Sequence, residues 1–231
     1  MNANAGQTLS TDIMSKNAIV IALDGPSASG KGTCGRYLAR KLGFRYVDTG
    51  AMYRTLTWHC LRTGVDTGNA TAVMDVLRSW PAELRLDEGE VRLLVDGYFP
   101  VSEIRSDEVS STVAKVSPIA GVRVWMVRTQ RECLGFGNLV MDGRDIGTHV
   151  FPETPFKFFL TASDEVRACR RRAEGSKENT AERDRRDSVR AVAPLEPARD
   201  AVIVDNSHES PTVTAEFMLA HFQSRQQRLG L

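Results

Sequence analysis

Nine consecutive residues, Gly25, Pro26, Ser27, Ala28, Ser29, Gly30, Lys31, Gly32 and Thr33, carry the spacing G-x4-G-K. Set between an apolar run and a helical pattern, that spacing is what a phosphate-binding loop requires. Glycines let successive backbone N–H groups converge on phosphate oxygens, and the following helix N-terminus adds partial positive charge. Lys31 places a mobile point charge near β- and γ-phosphates. The alternative is an ordinary tight strand-to-helix turn; spacing, lysine and context together weigh against it. Gly32 stands where many such loops carry a Ser or Thr that holds Mg2+ directly, so a metal here is expected to be held largely through water. Asp142, ending an apolar strand, is the candidate carboxylate for that role, and a turn-forming aspartate before Gly143 is the competing reading. The absence of an Asn-Lys-x-Asp motif weighs against a GTPase. Gly143, where a Glu would activate water, weighs against ATP hydrolysis.

Phosphoryl transfer to a second molecule needs a second anion site and spare positive charge. Arg54 follows the turn Asp48-Thr49-Gly50, and Arg123 lies on a helical pattern further on. Arg144 and Asp145 follow the Asp142 strand end, the edge at which open α/β sheets bind ligands. Arg183, Asp187 and Arg190 fall at i, i+4 and i+7 and so share one helix face. Such a face can hold phosphate with its arginines while the carboxylate takes a hydroxyl or orients a neighbouring guanidinium. Any one of these alone reads as well as a surface ion pair; beside a phosphate loop they read jointly as functional.

These groups need a scaffold that brings them to one edge. Ala18–Leu23 is an unbroken apolar run, suited to a strand buried on both faces of a parallel sheet. Cys34, Leu38 and Leu42 mark the helix after the loop, closing at Gly43. Phe44–Val47 is a short strand, and a second helix runs from about Met52 to Leu61. A short helix with Val73, Val76 and Leu77 and a hairpin of Glu83–Leu86 and Val91–Val95 then interrupt the strand–helix rhythm. That stretch, about 65–117, reads as an inserted subdomain. The rhythm resumes with a helix carrying Val122, Trp125 and Met126, strands at Asn138–Met141 and Phe156–Leu160, and a helix capped by Ser163. Ala201–Val204 reads as a final buried strand. A last helix starts at Ser210-Pro211 and carries Val213, Phe217 and Met218. The expectation is an α/β fold, a three-layer core with a parallel sheet.

The 231 residues allow one to two domains with a substantial core. The 30 basic and 29 acidic residues leave a net charge of +1, which argues against a global nucleic-acid footprint. No apolar run approaches the roughly 20 residues of a membrane span. Residues 1–17 lack an apolar leader core and read as a loose tail. Cys34, Cys60, Cys133 and Cys169 are too scattered for a zinc site, and the first three sit in apolar helical patterns, so a reduced, cytoplasmic chain with buried thiols is expected.

The stretches GPSASGKGT (25–33), DTGAMYR (48–54), EIRSDEVSSTVAKVS (103–117), DGRDIGT (142–148) and RDRRDSVRAVAPL (183–195) resemble bacterial cytidylate kinases, in register from about Ile19 to the final helix. The resemblance implies a P-loop core (18–64 and 118–231), a nucleoside-monophosphate-binding insertion (about 65–117) and a lid (about 173–182). It implies transfer of the γ-phosphate of ATP to CMP or dCMP, with Mg2+, by a monomer. Residues 25–33 would bind ATP. Arg54, Arg144 and Arg183 would hold phosphates, with Lys31 and Asp142 also catalytic. Arg123 and Asp145 would read the cytosine ring, Asp187 the ribose hydroxyls with Arg190 beside it, and Thr49 would join the CMP site. The basic cluster Arg167, Arg170, Arg171 and Arg172 either contacts ATP in part or is a solvated face.

Two features depart from the pattern. Ala114 replaces the family's usual serine on the segment facing the base, which weakens the expected cytosine discrimination unless Lys115 or a water compensates. The lid stretch is also short and has no apolar face. Kinases for UMP or another small acceptor, and a nucleotide-binding regulatory protein, are the alternatives.

Overall fold

The computed structural model describes residues 18–173, 184–185, 187–189 and 193–231. The tail at 1–17, nearly all of the expected lid, and Arg183 and Arg190 lie outside the described residues. In chain order the elements are β1 (Val20–Asp24), α1 (Lys31–Leu42), β2 (Arg45–Asp48), α2 (Thr49–Arg62), α3 (Ala70–Ser79), β3 (Ala82–Asp87), β4 (Glu90–Val95), α4 (Asp107–Val116), α5 (Ala120–Glu132), β5 (Leu139–Asp142), β6 (Phe156–Thr161), α6 (Asp164–Ala173), β7 (Val202–Asp205) and α7 (Pro211–Leu229). Among the described residues the strands form one sheet in the order β3-β4-β2-β5-β1-β6-β7. Only the β3–β4 pair is antiparallel.

The central strand explains the layering. Every residue of β1 is buried. Val20 and Ala22 enter one core with α2, α3 and α5, while Ile21 and Leu23 enter another with α1 and α7. Because successive side chains of a strand point to opposite faces, an unbroken apolar strand demands cover on both sides. The three-layer α/β fold expected from the sequence follows. Among the described residues no helix is long and apolar enough to cross a membrane.

Three expectations change. Asp48-Thr49-Gly50 is not a free-standing turn: Asp48 caps α2, accepting from the Ala51 N–H at 2.7 Å, so the helix begins at Thr49. The hairpin at 82–95, expected only as an interruption of the strand–helix rhythm, joins the main sheet. Glu88 and Gly89 both take positive φ, giving a two-residue turn whose twist matches its strands. β4 then pairs with β2 through Tyr46 and Glu90, and Val91, Leu93 and Val95 join the same core as Val47 and Met141. β7 is an edge strand and not a buried one: Ile203 is 54% exposed, and Val204 alone is buried, against the α7 side. On α7, Val213 and Phe217 likewise face outward, while Met218 and Phe222 pack inward.

β1, β2 and β5 are adjacent parallel strands, and each ends in an aspartate: Asp24, Asp48 and Asp142. Asp142 lies level with both Asp48 and Leu23. The fold therefore delivers three carboxylates to one edge of the sheet.

Phe222 is 1% exposed and packs between Phe44 and Phe156 at centroid distances of 5.9 and 4.7 Å. Phe222→Ala is expected to cost roughly 3–5 kcal/mol in urea unfolding. Phe217→Ala, on the outer face of the same helix, is expected to stay within about 0.5 kcal/mol.

Candidate active site

The loop between β1 and α1 is held by contacts that only its own residues permit. A Cβ on Gly25, at φ +145°, would stand 2.0 Å from the Leu160 carbonyl oxygen, so only glycine fits. Gly30 takes φ +92° as α1 begins. Lys31 Nζ donates to the Pro26 carbonyl at 2.7 Å and reaches the Ser29 hydroxyl at 3.4 Å. Ser27 to Thr33 line a cleft of about 780 Å³. Gly25 and Pro26 are not on its wall; they shape the loop.

Behind the loop, three consecutive carbonyls are engaged. Arg167 Nη1 donates to Ser27 O at 3.2 Å, Arg170 Nη1 to Ala28 O at 3.4 Å, and Asn206 Nδ2 to Ser29 O at 2.8 Å. In a trans peptide the C=O and the following N–H point in opposite directions. Carbonyls turned to these donors leave the N–H groups of Ala28, Ser29 and Gly30 directed the other way, which is the arrangement an anion needs. Asn206 is itself fixed, accepting from Arg170 at 3.0 Å. Arg167 is buried and paired with Asp164 and Asp184, and Asp184 also accepts from the Ser27 N–H at 3.0 Å. Two members of the basic cluster thus brace the loop from behind. Arg171 reaches the cleft wall, and Arg172 is exposed.

Across the cleft, each described arginine of the expected acceptor side sits against a carboxylate. Arg54 and Arg105 both reach Asp48, at 3.4 and 2.9 Å. Burial works to raise the Asp48 carboxyl, but the two guanidiniums and the Ala51 N–H outweigh it and hold it at about 2. Arg123 and Asp145, both buried, form an ion pair at 2.5 Å. Arg144 Nε donates to Asp187 at 3.0 Å. The structure thus brings Arg54, Arg123, Arg144, Asp145 and Asp187 to one cleft with Lys31. Ala114 lines it on α4, between Ser110 and Ser117 on the same wall. Lys115 is exposed and is not among the residues of that wall.

Asp142 lies on the floor. Its Oδ2 accepts from the Tyr46 hydroxyl at 2.6 Å, and its backbone carbonyl accepts from the Thr49 hydroxyl at 2.7 Å. Burial first, and Asp48 second, push its carboxyl up to about 6 against the pull of Lys31, the Tyr46 hydroxyl and Arg144. A Cβ on Gly143 would meet Ile146 at 2.7 Å and the Thr49 hydroxyl at 2.8 Å, so Asp142-Gly143 is a constrained corner as well as a strand end.

A family model for cytidylate kinase matches residues 21–224. The chain belongs to the cytidylate kinase family. It is 43% identical over 206 residues to the cytidylate kinase of Rhodococcus opacus (strain B4), covering 84% of this chain and 90% of that protein. It is 45% identical over 201 residues to that of Mycobacterium leprae (strain Br4923), covering 82% and 88%. It is 41% identical over 218 residues to that of Anoxybacillus flavithermus (strain DSM 21510 / WK1), covering 90% and 97%. As a member of the cytidylate kinase family the chain is an ATP-dependent phosphotransferase.

Several residues that line the cleft or support its lining lie outside the sequence-based site expectations. Asn206 follows the end of β7 at the same sheet edge as Asp142, a position that could have marked it. Arg105 sits within the EIRSDEV stretch but had no assigned partner. Tyr46 and Asp184 carry no local signal, since their partners are distant in sequence. Asn206→Ala removes the donor to Ser29 O and an acceptor of Arg170. It is expected to cost about 1–3 kcal/mol of stability by leaving buried groups unpaired. It is also expected to weaken ATP binding more than CMP binding, as read by equilibrium titration with each nucleotide.

Proposed function

We propose that this chain transfers the γ-phosphoryl group of ATP to CMP or dCMP, giving ADP and CDP or dCDP. The observation that carries the reading is the facing of two sites in one cleft: the braced anion loop with Lys31 on one wall, and the buried Arg123–Asp145 pair on the other. A small polyol or acid acceptor needs no such donor–acceptor pair, whereas a base edge does. Asp145 as a carboxylate accepts from the 4-amino group of cytosine, and Arg123 donates to O2 and N3.

Within residues 25–33, Gly25 and Pro26 shape the loop, and Ser27–Thr33 hold the ATP phosphates, with the amides of Ala28, Ser29 and Gly30 and Lys31 as the donors. Arg54 and Arg144, joined by Arg183, neutralise the acceptor phosphate and the group in transfer. Thr49 borders that phosphate, and Asp187 with Arg190 takes the ribose. Transfer is in line, and its rate comes from positioning and charge neutralisation; no covalent intermediate is required. Among the described residues no three His, Cys, Asp or Glu side chains gather as a metal cage. Asp142, a carboxylate oriented by Tyr46 on the floor beside Gly32, suits a Mg2+ that keeps its waters and takes its other oxygens from ATP. Bound there, Mg2+ would supply neutralisation of the phosphate charge. Buried Cys34, Cys60 and Cys133, all free thiols, accord with the cytoplasm.

Lys31→Ala is expected to lower kcat by orders of magnitude with an unchanged melting curve, because charge on the transferring group is lost. Full turnover in a folded variant would remove the P-loop assignment.

Acceptor choice gives a second test. Asparagine at 145 both donates and accepts, so Asp145→Asn is expected to narrow the CMP-to-UMP ratio of kcat/KM by about one to two decades. Ala114→Ser is expected to widen it. A wild-type preference for UMP, or a ratio unmoved in Asp145→Asn, would favour a kinase for another small acceptor. An absence of ADP release with any acceptor would favour a regulatory nucleotide-binding protein.

A further inference from the structure

Asp24 ends β1 behind the cleft wall and is 4% exposed. Its two carboxylate oxygens accept from successive backbone amides, Oδ1 from Ile146 N–H at 2.8 Å and Oδ2 from Gly147 N–H at 2.7 Å. Those amides follow directly on Arg144 and Asp145 and open a π-helical turn over Ile146–Val150. Among the described residues no cation forms an ion pair with Asp24. A buried carboxylate without an ion pair opposes folding unless its oxygens are hydrogen-bonded. Here both bonds go to one loop, across 122 and 123 residues of sequence. The loop runs close to β1 and β6 here: a Cβ on Gly147 would stand 3.1 Å from Lys157 Cδ and 3.4 Å from Asp24 Oδ2.

We propose that Asp24 is a positioning residue for acceptor recognition, its carboxylate clamping the backbone after Asp145 and so fixing how Asp145 and Arg123 meet the base. This inference rests on the reading of that pair as base-facing. Asparagine at this position reproduces only half of the clamp. One position accepts, and the other presents N–H to N–H.

The clamp depends on pH. Burial pushes the Asp24 carboxyl from 3.8 up to about 7, Asp145 adds to this, and the two amides and Lys31 oppose it. The charged groups around it are Lys31 at the start of α1, Asp145 in the clamped loop and, beside Gly147, Lys157 on β6, which is tied to Asp200 at 2.9 Å. Ionised, Asp24 accepts both amides; protonated, one oxygen carries a proton that faces a donor. The clamp therefore weakens as pH falls through about 7. Stability runs the other way. The native state binds the extra proton between the ordinary and the raised value, so folding loses free energy as pH rises across that interval. Asp24→Asn removes that slope.

Two measurements test the clamp on the full chain. In the nucleotide-free wild type, the amide proton shifts of Ile146 and Gly147 are expected to titrate together with a midpoint near 7, and the titration is expected to vanish in Asp24→Asn. In steady state, Asp24→Asn is expected to raise the KM for CMP about tenfold through lost orientation, with the KM for ATP within about twofold. The decline of kcat/KM for CMP below neutral pH is expected to flatten in the variant. Amides that do not titrate in the wild type overturn the inference without recourse to any variant. A CMP KM that stays at the wild-type value overturns it, as does an ATP KM that rises as much as that for CMP. A CMP-to-UMP ratio unmoved in Asp145→Asn, with the amides still titrating, removes the base reading and with it the positioning role, while leaving the clamp itself in place.

Discussion

The structure depends on the direction of three peptide groups. Ser27, Ala28 and Ser29 turn their carbonyls to Arg167, Arg170 and Asn206, which come from successive turns of α6 and from just past the end of β7. A loop of small residues and glycines has little conformational preference of its own. Its shape is imposed by donors placed outside it, and those donors are in turn held by Asp164, Asp184 and each other. The anion site is thus made by the far side of the sheet edge as much as by the loop.

The same economy of charge governs the acceptor side. Arg54 and Arg105 share Asp48, Arg123 holds Asp145, and Arg144 holds Asp187. Guanidiniums buried without partners would oppose folding, whereas paired ones keep their direction before any phosphate arrives. In the function proposed here the anionic groups of two nucleotides meet arginines that are already aimed. Charge neutralisation then requires little reorganisation, the condition under which electrostatic catalysis is strongest.

Carboxylates at the strand ends connect these two halves. Asp48, Asp24 and Asp142 terminate three neighbouring parallel strands, yet their environments separate them widely: about 2, about 7 and about 6. Two guanidiniums account for the first, and burial dominates the other two. Identical residue types at neighbouring strand ends therefore do different work: one anchors arginines, one clamps a loop, and one sits beneath the phosphate site.

The sequence by itself determined the parallel sheet, the anion loop and the family. An unbroken apolar strand, a glycine-rich turn with Lys31 and a helix after it are local patterns, and short-range physics reads them directly. Arg54, Arg144, Asp145 and Asp187 were legible because each lies in a distinctive stretch, and Arg123 because the resemblance to the family implied its role. Tertiary structure decided most of the pairings: Arg54 meets the Asp48 that caps its own helix, but Arg123 meets Asp145 and Arg144 meets Asp187 across 22 and 43 residues of sequence. Only in three dimensions does the 82–95 hairpin extend the main sheet, does β7 become an exposed edge, and do Arg167 and Arg170 turn out to brace the loop. Periodicity encodes which face of an element is apolar; it carries no record of which neighbour covers that face, or of whether an arginine reaches a carbonyl some 140 residues away.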